Sequence, residues 1–326
     1  MNYLIFGGGG FIGTHLAEYI FKQVNEKDNI YNFDINSKEN NFSRYTHLDV
    51  RQTININIPQ VSSSVIFNLS AVHTTPGHPD SEYFETNIFG AENICNFARG
   101  NNINTIVFTS SIAPYGPSEA LKKEDTLPMP ATPYGISKLT AEYIHKVWQA
   151  EEPDKRKLII VRPGVVFGKN EGGNFTRLYK SLKKGFFFYP GRKDTIKAAV
   201  YVKEVARILY ETAILETPKT ITFNLTYFPA PTIEDICKTI ARVTKVKEPK
   251  LVVPPTPLKL AAGLLYNSAN TFGKKINGIH PDRVKKLMIS TNISGKKLSM
   301  SSYRIQNSLQ EAIEDWFNDC DRKELK

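Results

Sequence analysis

The chain has 326 residues, of which 41% are hydrophobic and 23% charged, and its net charge is +10. This length and composition are those of a globular protein with one large domain or two closely joined domains. No window approaches the roughly 18 consecutive apolar residues of a membrane-spanning helix. The N-terminus also lacks the pattern of a signal peptide, so we expect a cytoplasmic protein without a membrane span.

Positive charge is scattered along the chain, and no nucleic-acid-binding module is recognisable, so nucleic acid is not an expected partner. A solvated surface and an attraction for anionic ligands such as diphosphates both fit this charge. Cys95, Cys237 and Cys320 are far apart and form no CxxC pair. We therefore expect reduced, structural thiols and no metal site.

In the first half of the chain, short apolar runs alternate with amphipathic stretches. The predicted strands are 3–6, 30–33, 65–69, 105–109 and 158–161, and the predicted helices are 11–23, 83–99 and 134–150. Apolar strands joined by helices are typical of a parallel sheet covered on both faces. The pattern therefore predicts an α/β protein with a doubly wound parallel sheet, the Rossmann arrangement.

Beyond residue 163 the chain is richer in glycine and proline, and its predicted elements are shorter. They are a strand at 221–225 and helices at 231–243, 258–266 and 309–317. We predict an NAD-binding domain over residues 1–163, to which the chain returns near 195–226. Residues 164–326 are predicted to form mainly a smaller α/β substrate-binding domain.

A glycine-rich run lies between the first predicted strand and the first predicted helix. Gly7 suits the sharp turn, Gly10 allows a close approach of the backbone to a pyrophosphate, and Gly13 allows the helix to pack on the strand. Phe11 and Ile12 complete the motif, at the helix N-terminus where unpaired N–H groups can bind phosphate. Its position makes this run a predicted dinucleotide-binding loop.

Asp34 ends the second predicted strand, about 20 residues after Gly13. There its carboxylate can accept hydrogen bonds from both hydroxyls of an adenine ribose, and its charge disfavours a 2′-phosphate. NAD is therefore the expected cofactor, rather than NADP. Asp49, after a further strand-like stretch, is a candidate for contact with the adenine, and a solvated loop residue is the alternative.

Tyr134 and Lys138 are four residues apart at the start of a predicted helix and share one helical face. A phenol has an ordinary pKa near 10, and a nearby cation lowers such a pKa by about 1–3 units. Lys138 and an oxidised nicotinamide are both expected to act in this way, which would make Tyr134 a general acid/base. Ser111 follows a predicted strand at the ligand-binding edge of the sheet and is expected to orient the same substrate oxygen.

With these residues placed, the chain resembles the extended short-chain dehydrogenase/reductase family of nucleotide-sugar epimerases and dehydratases. The resemblance runs from residue 1 to about residue 317. The motifs that carry it are Gly7-x-x-Gly10-x-x-Gly13, Asp34, Asp49-Val50, Asn68-Leu69-Ser70-Ala71, Asn87, Thr109-Ser110-Ser111, Tyr115-Gly116, Tyr134-x-x-x-Lys138 and Arg162-Pro163.

The resemblance implies a bound NAD that takes a hydride from a sugar hydroxyl carbon and returns it. It also implies a homodimer through a four-helix contact, here formed by 84–99 and 134–150. Beyond the glycine loop and the two aspartates, the implied NAD contacts are Val50, Leu69, Ser70, Ala71, Asn87, Tyr134 and Lys138.

The resemblance also implies a set of substrate contacts, for which packing or surface roles are the alternative. They are His73, Ser111, Asn174, Phe187, Tyr189, Lys197 and Arg283. Related nucleotide-sugar enzymes usually carry an asparagine for the diphosphate shortly after the motif that matches Arg162-Pro163. This chain continues with Gly164 and Val165, which departs from that pattern.

Another departure concerns dehydration. The 4,6-dehydratases of the family carry an Asp-Glu pair after the serine strand, where this chain has Ile112, Ala113 and Pro114. Without that acid, elimination of water is not expected.

The sequence leaves three functions open. The first is an NAD-dependent epimerase of a nucleotide sugar, such as a UDP-sugar, in which Tyr134 acts on the C4 hydroxyl, or a related 4-keto-sugar reductase. The second is a dehydrogenase or reductase of a non-nucleotide alcohol, favoured by the 162–166 stretch and the apolar 258–266 helix. The third is a regulatory NAD-binding protein, disfavoured because Tyr134 and Lys138 are both present.

Overall fold

The computed structural model describes residues 1–24, 29–36, 40–59, 63–74, 77–254, 256 and 288–326. The strands of this part of the chain are β1 (Asn2–Phe6), β2 (Ile30–Asp34), β3 (Arg44–His47), β4 (Ser64–Asn68), β5 (Thr105–Thr109), β6 (Ser118–Lys122), β7 (Lys157–Pro163), β8 (Val165–Phe167), β9 (Tyr189–Pro190), β10 (Ala199–Tyr201), β11 (Thr220–Leu225), β12 (Val252–Val253) and β13 (Thr291–Ile293).

The α-helices of the same residues are α1 (Phe11–Val24), α2 (Asp80–Phe84), α3 (Gly90–Gly100), α4 (Pro133–Ala150), α5 (Asn174–Lys183), α6 (Val202–Ile214), α7 (Ile233–Thr244), α8 (Lys296–Ser299) and α9 (Leu309–Asp319). A π-helical turn over Glu85–Phe89 joins α2 to α3, and a 3-10 turn covers Ala113–Tyr115.

The main sheet has seven strands in the order β11-β7-β5-β4-β1-β2-β3, and all of its pairings are parallel. The direction of winding reverses between β1 and β4. In open sheets of this kind, ligands bind outside the carboxyl ends of the strands at such a switch point. This topology confirms the predicted doubly wound α/β fold.

Strand β1 shows why the sheet is buried on both faces. All five of its residues are buried. Tyr3 and Ile5 point into one apolar cluster, which they share with α1 and α6, while Leu4 and Phe6 point into another, which they share with α3 and α4. Alternate side chains of a strand point to opposite faces, so a continuous apolar run is what a strand between two helical layers requires.

A third apolar cluster lies mostly in the C-terminal half and joins α5, α7 and α9. Phe167 is at its centre, stacked on Phe175 with ring centroids 4.4 Å apart and close to Trp316. Three short parallel ladders, β8 with β10, β9 with β12 and β6 with β13, connect the surrounding loops. The outer strand β11 belongs to the main sheet, although it follows β8, β9 and β10 in sequence.

Most of the predicted elements coincide with observed ones to within one or two residues. The predicted helix 83–99 is instead built from α2, the π-helical turn and α3, because the turn widens the helix around Asn87. The predicted helix 258–266 lies outside the described residues. No helix that the structure describes is long and apolar enough to span a bilayer.

The close approach of the turn after β1 to the segment after β4 can be tested at Gly7. Its φ is +82°, and an added Cβ would be 2.7 Å from the backbone of Leu69 and Ser70. We expect Gly7→Ala to lower the free energy of unfolding by about 2 kcal/mol, because both the backbone angle and the contact disfavour a side chain. Urea unfolding followed by circular dichroism measures this change.

Gly100 is the matched control, since it ends α3 and an added Cβ there meets nothing within 4 Å. Gly100→Ala is expected to leave stability unchanged or raise it by up to about 0.5 kcal/mol. Equal stabilities for the two variants would contradict the close approach at Gly7.

Candidate active site

The glycine loop and Asp34 meet at the carboxyl ends of β1 and β2. The Asp34 carboxylate accepts hydrogen bonds from the backbone N–H groups of Gly9 and Asn36, both at 2.9 Å. An added Cβ at Gly13 would be 2.5 Å from the Gly7 carbonyl oxygen, so α1 starts directly against the turn. Gly10 is exposed, and Phe11 and Ile12 are half-buried behind it.

This arrangement fits an adenine dinucleotide. The N-terminus of α1 lies next to an exposed glycine, where a pyrophosphate can approach the backbone N–H groups. Asp34 is half-buried and held in place at the end of β2, where a ribose can reach it. Among the described residues, no three His, Cys, Asp or Glu side chains cluster closely enough to hold a metal ion.

Asp49 and Val50 follow β3 at the same edge. Both carboxylate oxygens of Asp49 accept hydrogen bonds from the Arg51 guanidinium, and these bonds lower the pKa of Asp49. Val50 is buried against Gly90 and accepts a hydrogen bond from Asn93 through its carbonyl oxygen. The structure therefore gives both residues protein partners, and their contact with an adenine stays a prediction.

The segment after β4 forms the next wall of the cleft. Leu69 donates its N–H to the Phe6 carbonyl oxygen at 2.8 Å, which ties the segment to the glycine turn. Leu69, Ser70 and Ala71 are half-buried beside Gly7. Asn87 fixes the next residue, Val72, because its amide bonds both the N–H and the carbonyl oxygen of Val72, at 2.9 and 3.1 Å.

The side chain of Asn87 also donates to the Ser137 hydroxyl on α4, at 2.8 Å. Asn87 lies in the π-helical turn, where the backbone is wider than in an α-helix. This kind of turn is frequent at functional sites. In this structure Asn87 joins the segment after β4 to the helix that carries Tyr134.

Helix α4 begins with a hydrogen-bonded cap and a close contact. The Thr132 hydroxyl accepts from the N–H of Gly135 at 3.1 Å, and Pro133 is the first helical residue. An added Cβ at Gly135 would be 2.8 Å from the Ala113 carbonyl oxygen. Gly135 thus lets α4 approach the turn that carries Ser111, a role that spacing alone did not indicate.

Tyr134 and Ser111 are brought together by this approach. Burial raises the pKa of the Tyr134 phenol, and the nearby Ser111 hydroxyl has a smaller effect in the opposite direction. The ring of Tyr83 packs beside that of Tyr134, with centroids 6.3 Å apart. The predicted lowering of the Tyr134 pKa by Lys138 is therefore wrong for the polypeptide itself, because burial dominates.

Lys138 is almost fully buried one turn after Tyr134, only 1% exposed. Its ammonium lies over the Phe108 ring, 4.4 Å from the centroid. Burial lowers the pKa of Lys138 to about 7, and the negative charge of Glu142 acts in the opposite direction. Lys138 is thus close to half-protonated at neutral pH.

Sequence reasoning missed the buried network behind Lys138. Glu142, one turn further along α4, accepts from the Arg162 guanidinium at 2.8 and 2.6 Å and from the Ser110 hydroxyl at 2.6 Å. Arg162 also donates to the Tyr115 hydroxyl at 2.5 Å. The signal was present, because Tyr134, Lys138 and Glu142 are spaced by four on one helical face.

His145 continues the same face of the helix. It donates or accepts at the Asn68 amide, 3.2 Å away, and stacks on Phe108 with centroids 4.2 Å apart. Burial lowers its pKa to about 4, so it is neutral at physiological pH and Lys138 has no second cation beside it. Asn68 in turn accepts from the N–H of Ser70, which connects the helix to the wall of the cleft.

The predicted substrate residues are more dispersed. His73 is exposed at the cleft wall, and its pKa is lowered by desolvation and, less strongly, by the Lys138 charge, while a hydrogen bond with Ala71 raises it. Lys197 donates to the Ile289 carbonyl oxygen at 2.8 Å, and burial lowers its pKa to about 8. Asn174 is exposed at the start of α5.

The remaining predicted substrate residues are Phe187, Tyr189 and Arg283. Phe187 is half-buried against Tyr189, whose ring is completely buried in the third cluster. That burial argues against contact between Tyr189 and a ligand. Arg283 lies outside the described residues.

Val165 in β8, three residues after Arg162, stands where the resemblance leads one to expect an asparagine, and its half-buried side chain is apolar. Gly164 lies directly before it. An added Cβ there would be 2.6 Å from the Ala198 carbonyl oxygen and 3.0 Å from the Ala199 nitrogen. The backbone of residues 198–199 therefore fills the space that a side chain would need. Neither Gly164 nor Val165 therefore offers a polar side chain at this place.

The burial of Lys138 can be tested by measuring how protein stability depends on pH. Its pKa is about 7 in the folded chain, against about 10.4 for an ordinary lysine. Between these values the unfolded chain binds the extra proton, so the stability of the wild type should rise with pH relative to Lys138→Met. We expect a slope of about 1.4 kcal/mol per pH unit between pH 7 and 9, and none below pH 7.

Urea unfolding of the wild type and Lys138→Met at pH 6, 7, 8 and 9 measures this slope. Lys146→Met is the control on the same helix, where the ammonium lies over the Tyr143 ring and is half-exposed. A stability difference that is constant from pH 6 to 9 for Lys138→Met would contradict the buried, weakly basic lysine.

Comparisons with known proteins identify relatives over nearly the whole chain. One relative is the N-acetyl-alpha-D-glucosaminyl-diphospho-ditrans,octacis-undecaprenol 4-epimerase of Escherichia coli O157:H7, 26% identical over 96% of this chain and 93% of the relative. Another is a decarboxylating sterol-4-alpha-carboxylate 3-dehydrogenase of Candida albicans, 25% identical over 97% of each chain.

Among solved structures, MoeE5 in complex with UDP-glucuronic acid and NAD has a TM-score of 0.73 and 20% identity, over 98% of this chain and all of that chain. This similarity establishes the fold. The model of the NAD dependent epimerase/dehydratase family matches residues 3–225. This match confirms the predicted resemblance and the predicted cofactor, NAD: the chain belongs to the NAD dependent epimerase/dehydratase family.

Proposed function

We propose that this chain is a 4-epimerase of a nucleotide sugar, most simply a UDP-sugar, and a member of the extended short-chain dehydrogenase/reductases. One observation carries the proposal: Ser111, Tyr134 and Lys138 converge at the carboxyl edge of the sheet, beside the glycine loop. Family membership supports the use of NAD, and the name of the E. coli relative supports epimerisation at C4. The UDP-sugar bound by MoeE5 supports the substrate class.

In this proposal, Tyr134 holds and moves the proton of the C4 hydroxyl. The Ser111 hydroxyl, which lies near the Tyr134 phenol, orients the same substrate oxygen. NAD, when bound, supplies the acceptor and later the donor of a hydride. To act as a base, Tyr134 must first lose its own proton, and the positive charge that oxidised NAD would bring to the cleft favours the phenolate. The phenolate can then accept the C4 hydroxyl proton and later return it to the same oxygen.

The NAD contacts remain a proposal at the level of individual residues. Gly7, Gly10, Gly13 and Asp34 would hold the pyrophosphate and the adenine ribose, and Lys138 would hold the nicotinamide ribose. Phe11, Ile12, Asp49, Val50, Leu69, Ser70, Ala71 and Asn87 would line or support the cleft.

Dehydration is not part of the proposal. The turn after Ser111 carries Ile112, Ala113 and Pro114, and none of these side chains can donate or accept a proton. An elimination would need an acid at this place. The 4-keto-sugar reductases need only the Tyr, Lys and Ser set, and they stay an alternative within the same class.

A second candidate function is the same chemistry on an alcohol or glycosyl substrate that is not linked to a nucleotide. Val165 favours it, because an apolar side chain stands where related enzymes usually carry the asparagine that binds the nucleotide diphosphate. The E. coli relative is named for a lipid-linked sugar diphosphate and the C. albicans relative for a sterol. The same Tyr134 chemistry would apply to either substrate.

We also propose a homodimer through α3 and α4. These helices pack side by side, and Arg99 and Glu151 form an ion pair of 2.6 Å at one end of the pair. Their outer face carries the exposed side chains of Phe89, Tyr143 and Val147, which are 52%, 56% and 60% exposed. An apolar stripe of this kind on two adjacent helices is typical of a four-helix contact.

The domain boundary near residue 163 and a cytoplasmic location also stay predictions.

The catalytic proposal is tested by Tyr134→Phe. Loss of the phenolic proton is expected to reduce kcat for interconversion of UDP-glucose and UDP-galactose, or of their N-acetyl forms, by about 10²- to 10⁴-fold. NAD retention, measured by the absorbance of nucleotide released on denaturation, should be unchanged. Tyr143→Phe, on the exposed face of the same helix, should keep the wild-type rate.

If the wild type converts no UDP-sugar but converts a lipid-linked sugar diphosphate or oxidises a sterol, the second candidate is correct. Full activity of Tyr134→Phe on whichever substrate is converted would overturn the catalytic role.

The dimer is tested by Val147→Glu combined with Tyr143→Glu. Charges in the centre of the apolar stripe should shift the molecular mass measured by light scattering from two chains to one. Leu127→Glu, at an equally exposed apolar position outside these helices, is the control and should remain a dimer. A wild-type protein that is monomeric at 50–100 µM, a concentration range suited to about micromolar affinity, would refute the dimer.

A further inference from the structure

Two distant segments meet at one surface of the C-terminal part of the chain. They are residues 180–193, after and including the end of α5, and residues 245–253, after α7. The β9–β12 ladder pairs Tyr189 with Val252, and the N–H of Tyr189 donates to the Leu251 carbonyl oxygen at 2.8 Å. We call the surface formed by these segments the α5–α7 tip.

The α5–α7 tip exposes large apolar side chains. Phe186 is 79% exposed, Leu251 63% and Val252 39%. Phe186 lies three residues before Tyr189, and Leu251 and Val252 lie beside Tyr189 through the ladder and the Tyr189–Leu251 hydrogen bond. The side chains beneath them, Tyr189 and Leu182, are buried in the third cluster, so the exposed ones stand on a packed base.

Basic residues surround these apolar side chains. The two segments contain eight lysines and arginines and one glutamate. Three of the basic residues have acidic partners outside the segments: Lys183 pairs with Glu324, Arg192 with Glu119, and Lys193 with Glu234. Among the described residues, no carboxylate lies within ion-pair distance of the other five, which are Lys180, Lys184, Lys245, Lys247 and Lys250.

The acidic groups nearby do not neutralise this surface. Glu248, the only acidic residue of the two segments, lines a groove on α7 together with Lys238 and Arg242. Glu234 is shared between Lys193 and Lys238. The α5–α7 tip is therefore both strongly basic and apolar at its most exposed points.

We propose that the α5–α7 tip binds the surface of an anionic lipid bilayer. Lysines near such a surface are attracted by its negative potential, while protruding aromatic and aliphatic side chains enter the interface between headgroups and acyl chains. Both features are needed together, because neither a few apolar side chains nor a few lysines alone give stable binding. This inference does not depend on which substrate the active site accepts.

Other occupants fit the α5–α7 tip less well. A second copy of the same tip would bring like charges together, which disfavours a self-contact. A nucleic acid would be attracted by the lysines but would gain little from Leu251 and Val252, which have no aromatic face for a base to stack on.

The test is vesicle co-sedimentation of the full chain in 100 mM salt. Vesicles of phosphatidylcholine with 30% phosphatidylglycerol are compared with phosphatidylcholine alone, two compositions that differ in the surface potential on which lysine attraction depends. We expect binding to the anionic vesicles only, weakening as salt increases because the exposed charges are screened. Phe186→Ser with Leu251→Ser, and separately Lys184→Glu with Lys247→Glu, should each weaken binding about tenfold or more.

Two control variants match these changes elsewhere on the surface. Met300→Ser removes an apolar side chain that is 77% exposed. Lys323→Glu reverses the charge of a lysine whose side chain is 80% exposed. Both should bind like the wild type, and all variants should keep the wild-type turnover of a soluble substrate. The proposal is overturned if Phe186→Ser with Leu251→Ser binds normally, if binding ignores lipid charge, or if these variants change only the oligomeric state.

Discussion

The buried ion pair between Arg162 and Glu142 is the interaction on which the site depends. It joins the end of β7 to the middle of α4 through two hydrogen bonds, and both side chains are almost fully buried. Removing one partner of such a pair typically costs about 3–5 kcal/mol, since the other charge stays buried. The pair therefore fixes the rotation of α4 about its axis, and with it the direction in which Tyr134 and Lys138 point.

The same pair also acts on the charge of Lys138. Burial over Phe108 disfavours the ammonium, whereas Glu142 favours it, and the outcome is a lysine with a pKa of about 7. His145, held neutral by its own burial, does not add a competing charge. The protonation of a lysine balanced in this way responds strongly to any further charge placed in the cleft, as is typical of groups at functional sites.

The sequence predicted what depends on local spacing. The glycine run, Asp34 and the Tyr134–Lys138 pair each lie within one element or one strand-to-helix turn, and the structure places them at one sheet edge as expected. It did not predict the pKa of Tyr134, because desolvation depends on how Tyr83 and the Ser111 turn pack around the ring. The role of Asn87 was also missed, since a π-helical turn has no clear sequence pattern.

The predicted substrate contacts show why resemblance to a family predicts such contacts less well than it predicts the fold. Tyr189 has the right residue type for a stacking contact, but the β9–β12 ladder turns its ring into the core. At Val165 an apolar side chain stands in place of the asparagine of the family pattern. The neighbouring Gly164 cannot supply a side chain instead, because the Ala198 backbone would be 2.6 Å from an added Cβ. Catalytic geometry is set by the sheet and α4, which the fold constrains, whereas substrate contacts come from loops between short ladders, where one change of register redirects a side chain.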